Sequence, residues 1–204
     1  MIDQGMAIPR PYHHGNLRAA LLQAAEKALE AGGIQQISLR ELSRELGVSH
    51  TSPRRHFADK QALLDALAVS GFERFEAALS RATRRKDHSF KTRLTRLGQA
   101  YVDFALKHPL LFALMFEAKH RPDAPRELQQ AADKAFGHGP ATMAEGQASG
   151  EVVRGDPARL ALGAFSALQG LITISTKGKF KGVDLDTLAR EIIDRMITGL
   201  QPRK

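Results

Sequence analysis

The sequence has no cysteine and no tryptophan, and its 204 residues contain no long unbroken apolar run. The absence of cysteine excludes disulfides and thiolate metal sites, which fits a cytoplasmic protein without requiring one. No stretch approaches the roughly 18 unbroken apolar residues that a membrane helix needs. The first residues also lack the basic and apolar regions of a secretory signal. We therefore expect a cytoplasmic protein without a membrane segment.

Basic residues exceed acidic ones by 30 to 22, which gives a formal net charge of +8. A basic balance is typical of proteins with a polyanionic partner, although many soluble proteins carry such a charge without one. The residues up to Arg85 hold 12 basic and 9 acidic side chains, so the excess is not concentrated in the N-terminal part. Charge alone therefore does not locate a nucleic-acid site.

Apolar residues recur at helical spacing along nearly the whole chain, which predicts an all-α fold. Residues 1–14 contain two prolines and are expected to form a flexible arm. A small helical domain is expected at residues 15–75, followed by a larger one at residues 86–204. In the larger domain, proline and glycine breaks predict helices at about 89–108, 109–119, 125–148, 157–176 and 185–200.

Residues 38–57 have the pattern of a helix-turn-helix, the motif with which many proteins read DNA. Ser38 and Glu41 have the spacing of a reciprocal capping box, and the helix that they open is expected to stop at Gly47. Ser49 is expected to cap a second helix that ends near Phe57. A further helix, capped by Asp59, completes a three-helix DNA-binding domain.

The second helix of this motif is too polar and basic for a core helix, which suits insertion into a major groove. Its first residues, His50, Thr51 and Ser52, are best placed to touch base edges. The later positions are nearer to phosphates, as are the N-termini of the flanking helices, whose backbone N–H groups suit phosphate oxygens. The residues expected to contact double-stranded DNA are Ser38, Leu39, Arg40, Ser49, His50, Thr51, Ser52, Arg54, Arg55, His56 and Lys60.

An enzyme is the main alternative to a DNA-binding protein. Two short amphipathic helices also occur in enzymes, but the sequence has no nucleophile elbow, phosphate-cradling glycine loop or His-x-x-x-His pair. We therefore expect no catalytic residues, metal or cofactor, since the neighbouring His13 and His14 have no cysteine to support a metal site. A ligand-independent architectural DNA binder is a third possibility. The arm either reaches a neighbouring groove or is a disordered tail.

Four segments between residues 12 and 70 resemble the N-terminal domain of TetR-family regulators, and they read YHHGNLR, SLREL, GVS and RHFADKQALL. The resemblance implies a homodimer that represses genes and is released when a small molecule enters its C-terminal domain. Two positions depart from the family pattern. Arg54 stands where a phosphate-binding Tyr is usual, and Pro53 stands where Leu is common. Because Pro53 removes a backbone N–H, we expect a distorted first turn in the recognition helix.

The larger domain is rich in phenylalanine and methionine, which more often form plain core than a ligand cavity. Residues 101–116 resemble the C-terminal domain of one TetR branch, which is named for a Trp-His-Gly signature further along the chain. The matching positions in this sequence are Phe165, Gln169 and Gly170, so the Gly is retained and the Trp and His are replaced. The resemblance favours a pocket for a largely apolar effector, with His108 and Gln169 as polar contacts. The candidate ligand-binding residues are Phe104, His108, Phe112, Met115, Phe116, Phe136, Met143, Phe165 and Gln169.

The last two predicted helices have the pattern of an association surface. Gly163, Ala164, Ala167 and Gly170 keep one face of the first helix small. The second helix carries two apolar stripes, one with Ile192 and one with Ile193, which is more than burial within one domain requires. We expect a two-fold homodimer that binds a palindromic operator. The leading hypothesis is a ligand-released repressor, and an activating role is the alternative.

Overall fold

The computed structural model describes residues 17–84, 89–176 and 184–202, and all of their regular elements are helical. The predicted all-α class is therefore confirmed. The arm expected at residues 1–14 lies outside the described residues. Two short 3₁₀ segments, Ile34–Gln36 and Pro53–Arg55, accompany the α-helices. The α-helices are α1 (Leu17–Gly32), α2 (Leu39–Glu45), α3 (Lys60–Thr83), α4 (Phe90–Lys107), α5 (Pro109–Lys119), α6 (Arg126–Phe136), α7 (His138–Ala148), α8 (Pro157–Thr176) and α9 (Leu185–Leu200).

The chain divides into two compact units between Leu63 and Leu64, inside α3. The sequence placed this division beyond residue 75. Most of α3 belongs to the second unit because its two phenylalanines, Phe72 and Phe75, are fully buried there. Both contact the ring of Phe136 on α6. The described part of the first unit thus consists of α1, α2, the two 3₁₀ segments and the first residues of α3.

The core of the first unit forms on one face of α1. Leu21 and Leu29 on that face are almost fully buried, as are Ile37 before α2 and Leu42 within it. Their 3.6-residue spacing on α1 lets a single stripe of leucine and alanine side chains pack inward. Helix α1 contacts both α2 and the Pro53–Arg55 segment. A small apolar core therefore supports the two elements of the helix-turn-helix.

The helices of the second unit begin and end close to where the sequence predicts, with one exception. His108 separates α4 from α5, and Pro109 occupies the first position of α5, where its missing N–H is not needed. The single helix expected at 125–148 is wrong, because α6 ends at Phe136 and α7 begins at His138. Pro140 explains the break, since it has no N–H to donate to the carbonyl of Phe136.

Close helix contact in the second unit depends on Gly98 of α4. A Cβ atom at this position would lie 2.8 Å from Cδ1 of Ile193 on α9. Any larger side chain would displace the end of the Ile193 side chain, so the glycine allows α4 and α9 to pack closely at this point. Ser89 begins α4 as an N-cap, its hydroxyl accepting a hydrogen bond from the Thr92 N–H at 3.3 Å. These contacts fix two helices, α4 and α9, that also line a cavity with mostly apolar walls.

Candidate DNA-binding surface and ligand cavity

The turn of the helix-turn-helix is built around Gly47, as its sequence predicts. Gly47 has a φ of +65°, in the left-handed region that favours glycine. The N–H of Val48 donates to the carbonyl of Ser43 at 3.0 Å, and the N–H of Gly47 donates to the carbonyl of Arg44 at 3.2 Å. This pair of bonds is a Schellman ending, which satisfies the last carbonyls of α2 and turns the chain sharply.

The N-terminus of α2 lies where predicted, but the predicted capping box is wrong. Ser38 is the N-cap residue, yet its side chain makes no capping hydrogen bond. Glu41 forms an ion pair with Arg44 one turn further along. A charged partner at this distance competes well with a neutral backbone N–H. In the described structure, the first backbone N–H groups of α2, at Leu39 and Arg40, consequently have no capping side chain.

Residues 49–56, which we call the recognition segment, form tight turns rather than the predicted α-helix. Pro53 has no N–H, so the carbonyl of Ser49 accepts from Ser52 at 3.0 Å instead. The N–H groups of Arg55 and His56 likewise bond three residues back, at 3.2 and 2.9 Å. The distortion expected from Pro53 is therefore present. Pro53 itself is buried, in contrast to the other residues of the segment, most of which are exposed.

The recognition segment presents polar side chains to solvent. His50, Thr51, Arg54, Arg55 and His56 are all exposed. The Ser49 hydroxyl lies 2.7 Å from the Ser52 hydroxyl and 3.1 Å from the Thr51 hydroxyl. Residues 46–58 contain no Asp or Glu. The segment is thus a polar, basic surface that contains no acidic residue.

Two contacts hold the end of the recognition segment. Phe57 is buried, and the guanidinium of Arg18 on α1 lies 5.5 Å from the centroid of its ring. Asp59 caps α3 as predicted, with its carboxylate accepting from the Ala62 N–H at 2.8 Å. Lys60 donates to the carbonyl of Ile34 at 2.7 Å, so the side chain expected on a phosphate also has a structural partner. The local backbone is consequently fixed on both sides of the segment.

The second unit contains a half-open cavity of about 380 Å³. Its walls come from several helices and are mostly apolar, including Leu94, Leu97, Leu168 and Ile193. Of the candidate ligand-binding residues, Phe136, Met143 and Phe165 line it. A cavity of this size lies near the lower end of the range for small-molecule sites. The structure therefore brings three of the nine predicted side chains together on one cavity wall.

The other candidate ligand-binding residues lie outside this lining. Phe112 and Met115 are buried in packed core, and Phe116 stacks on Phe165 at 6.1 Å between ring centroids. Phe104 and His108 lie on a separate, more open concavity beside α3. Gln169 is one contact removed from the cavity, because it accepts a hydrogen bond from the Tyr101 hydroxyl. The expectation that all nine form one site does not match these positions.

Four polar or charged residues that the sequence did not single out line the cavity: Tyr101, Lys119, Asp133 and His138. Burial raises the pKa of the Tyr101 hydroxyl well above its ordinary value, so the group stays protonated and donates to Gln169. Burial also lowers the pKa of Lys119, while the charge of Asp133 acts in the opposite direction. These residues lie on α4, α5, α6 and α7, so no local motif could have grouped them.

Comparison with known proteins agrees with this architecture. Residues 21–67 match the family model of bacterial regulatory proteins of the tetR family, and residues 94–200 match that of the tetracyclin repressor-like C-terminal domain. An uncharacterized HTH-type transcriptional regulator, YobS of Bacillus subtilis (strain 168), is 31% identical over 96 residues. That match covers 47% of this chain and about half, 49%, of YobS.

Two solved structures have similar folds. A protein of unknown function from Rhodococcus sp. RHA1 is 42% identical, with a TM-score of 0.88 over 95% of this chain and all of its own. The TetR-family regulator PfmR from Thermus thermophilus is 21% identical, with a TM-score of 0.68 over 89% of this chain and 99% of its own. At that identity, the likeness to PfmR shows the fold alone.

The fold and the two family matches define a helix-turn-helix DNA-binding protein with a helical C-terminal domain. The chain belongs to the tetR family of transcriptional regulators. It is accordingly a DNA-binding regulator and not an enzyme, as the sequence predicts. The matches do not distinguish branches of the family, so the Trp-His-Gly likeness at Phe165, Gln169 and Gly170 stays a prediction.

Proposed function

We propose that this regulator is a repressor that binds a palindromic operator as a homodimer and is released by a small, largely apolar molecule. The observation that carries the DNA-binding part is the exposed, acid-free recognition segment, which Gly47 and Phe57 fix at its two ends. A segment held in this way enters a major groove without losing much further conformational freedom. The regulator would act in the cytoplasm, where its operator is.

The tight turns of the recognition segment refine the proposed contacts. The 3₁₀ segment begins at Pro53, so Thr51 lies before it, in the turn that the hydrogen bond from Ser52 to Ser49 closes. The exposed His50 and Thr51 are proposed to read base edges, while Arg54, Arg55 and His56 bind phosphates. Ser49 and Ser52 bond to each other and would mainly hold the turn.

Backbone groups next to the recognition segment complete the proposed DNA contact. The uncapped N–H groups at the start of α2, from Leu39 and Arg40, suit a phosphate, and the Arg40 side chain is exposed beside them. Ser38, the N-cap residue of α2, is proposed to contribute to the DNA contact by its backbone, which places these N–H groups. Lys60 has two further N–H donors besides the one used on Ile34, so it can serve both the turn and a phosphate.

A homodimer through α8 and α9 is supported by apolar surface on both helices. Leu162 on α8 is 60% exposed and Ile174 is 41% exposed. A Cβ atom at Gly163 or Gly170 would meet nothing within 4 Å, so this face of α8 is open. On α9 the stripe with Ile193 is buried, whereas the stripe with Ile192 is half-buried. An open apolar face of this kind is what a second copy of the chain would cover.

Helix α8 is also unusually apolar for a helix that is so exposed. Within the described residues it is the one helix long and apolar enough to cross a membrane, with a mean hydropathy of 1.3 over Pro157–Ser175. Only 22% of that window is buried in the single chain. A dimer interface accounts for an apolar, poorly buried helix in a tetR-family protein. We therefore assign the exposed face of α8 to dimerisation.

The effector is proposed to occupy the cavity of about 380 Å³, with Phe136, Met143 and Phe165 in contact. Binding would favour a dimer whose recognition segments no longer match the operator half-sites. Filling the space with Ala164→Phe, at a lining position on α8, should mimic or block the effector. Because Ala164 also belongs to the small face expected at the dimer interface, sedimentation equilibrium first checks that the variant remains a dimer. DNA binding by the dimeric variant should be insensitive to added ligand, whereas an unchanged ligand response would exclude this cavity.

The DNA contacts are tested by salt-dependent binding to the DNA that flanks the gene. Arg55→Ala should weaken binding to all sequences and reduce the salt slope by about one. Thr51→Ala should instead change the preference among sequences. Arg126→Ala, an exposed arginine on α6, serves as the charge-matched control and should leave both properties unchanged. Equal losses for Arg55→Ala and Arg126→Ala would exclude the proposed surface.

A further inference from the structure

We propose that the effector is an amphipathic carboxylic acid whose carboxylate pairs with Lys119 while its hydrocarbon part fills the apolar cavity. This inference rests on the proposed function, in which the cavity is the effector site. It goes beyond the expectation of a largely apolar ligand, because it names the charge of the polar end. It also names the side chain that would recognise it.

Three of the polar side chains on the cavity wall differ in how they are partnered, and two of them already have hydrogen-bond partners. The Tyr101 hydroxyl donates to Gln169. Nε2 of His138 lies 3.2 Å from a carboxylate oxygen of Glu76, and Nδ1 lies 3.4 Å from the Thr83 hydroxyl. These contacts use much of the hydrogen-bonding capacity of the two groups. They leave the tyrosine and the histidine as secondary contacts for a ligand.

Lys119 is the third of these side chains. Throughout the described ranges, no carboxylate lies within ion-pair distance of its ammonium. The ammonium instead lies 4.4 Å from the ring centroid of Phe136 and 5.1 Å from that of Phe116. Asp133 also lines the cavity and acts on Lys119 at longer range, but its side chain is exposed to solvent. The cation is therefore held on aromatic rings without a directly paired anion.

This arrangement favours an anionic ligand on energetic grounds. The half-buried ammonium has lost part of its hydration, and its lowered pKa reflects that loss. Two aromatic faces offset only part of the cost, since each cation–π contact is weaker than a charge-assisted hydrogen bond. A carboxylate on the ligand would supply that bond in a partly dehydrated site. Affinity for the acid should consequently exceed affinity for a neutral compound of the same shape.

The remaining walls limit the type of anion. Among the described lining residues, Lys119 is the one lysine and there is no arginine. A phosphate or diphosphate usually requires several cations or a bidentate arginine. Asp133 on the same wall would also repel a doubly charged group. A singly charged carboxylate with an aliphatic or aryl tail fits one lysine and a wall of leucine, isoleucine and phenylalanine.

The test compares straight-chain carboxylates from hexanoate to tetradecanoate, and phenylbutyrate, with the corresponding primary amides. Binding to the full-length protein is measured by calorimetry. An acid of suitable length should bind about ten- to a hundredfold more tightly than its amide. Lys119→Met should remove that preference while amide binding persists, and Lys119→Arg should largely retain it. Lys91→Met, on the exposed Lys91 of α4, is the matched control and should keep the preference.

The outcomes separate this inference from the proposed function. Equal binding of acids and amides, or a preference that survives Lys119→Met in a folded protein, overturns the role of Lys119 but leaves an effector cavity in place. Folding of each variant is checked by its thermal unfolding curve, and Lys119→Gln replaces Lys119→Met, with the same expected result, if the latter does not fold. Ligand binding that survives Ala164→Phe would exclude the cavity as the effector site and with it the role of Lys119, while DNA binding by the recognition segment is tested separately.

Discussion

The guanidinium carbon of Arg18, near the start of α1, lies 5.5 Å from the centroid of the Phe57 ring, which closes the recognition segment. Phe57 is 3% exposed, so its ring forms part of the small core beneath the helix-turn-helix. Phe57→Ala should lower the free energy of unfolding by about 3 kcal/mol, through lost burial and a residual cavity. Phe57→Leu should lower it by much less. Urea unfolding measures both, and similar values for the two variants would contradict the packing role.

The turn at Gly47 gives a second prediction. Because its φ is +65°, Gly47→Ala should cost about 1 kcal/mol and weaken DNA binding. Gly199 provides a matched control, since it lies in α9, is exposed, and has open space where a Cβ would be. Gly199→Ala should stabilise the protein by about 0.5–1 kcal/mol. Thermal unfolding would show shifts of opposite sign, and shifts of the same sign would argue against the Schellman ending.

An ion pair in the second unit gives a third prediction. Arg121 donates two hydrogen bonds to the buried carboxylate of Asp65, at 2.7 and 3.1 Å. Arg121→Met should destabilise the protein by about 2–4 kcal/mol, somewhat less than for a fully buried pair, because the arginine keeps some solvent contact. Arg190→Met breaks an exposed pair with Asp186 and should cost less than about 0.5 kcal/mol. Equal costs in urea unfolding would show that burial of Asp65 is unimportant.

The proposed dimer interface gives a fourth prediction. Ala167 is exposed on α8 among other small and apolar residues. Ala167→Glu should place a charge in the interface and shift the protein from dimer to monomer, as measured by sedimentation equilibrium. Gln130→Glu adds the same charge at an exposed position of α6 and should leave the dimer intact. A dimer that is unaffected by Ala167→Glu would exclude this face of α8.

Most helix boundaries could be predicted because they depend on local chemistry. Gly47, Asp59 and the His108-Pro109 step act within one turn of chain, and the structure has a turn, a cap and a helix break at these places. The break caused by Pro140 was also local, but the apolar spacing on either side of it suggested one helix. The capping box at Ser38 was lost to an ion pair that Glu41 makes with Arg44.

The cavity was harder to predict because its polar residues come from different helices. Lys119, Asp133 and His138 each resemble an ordinary charged residue on a solvated helix face. Only packing brings them to one wall. The phenylalanine and methionine pattern gave the opposite error, since Phe112 and Met115 were expected to line a pocket but are buried in packed core. Spacing along a helix indicates which side is apolar, but not where the packed side chains leave space.

The most direct test of DNA reading by the recognition segment is nuclease footprinting of the full-length protein on the DNA upstream of its own gene. We expect protection of a palindrome whose half-site centres lie about 34–36 Å apart, or a multiple of that distance. The same footprint should be lost with Arg55→Ala at a salt concentration where Arg126→Ala still protects. Absence of any protected palindrome at low salt, or an unchanged footprint with Arg55→Ala, would contradict DNA reading by this segment.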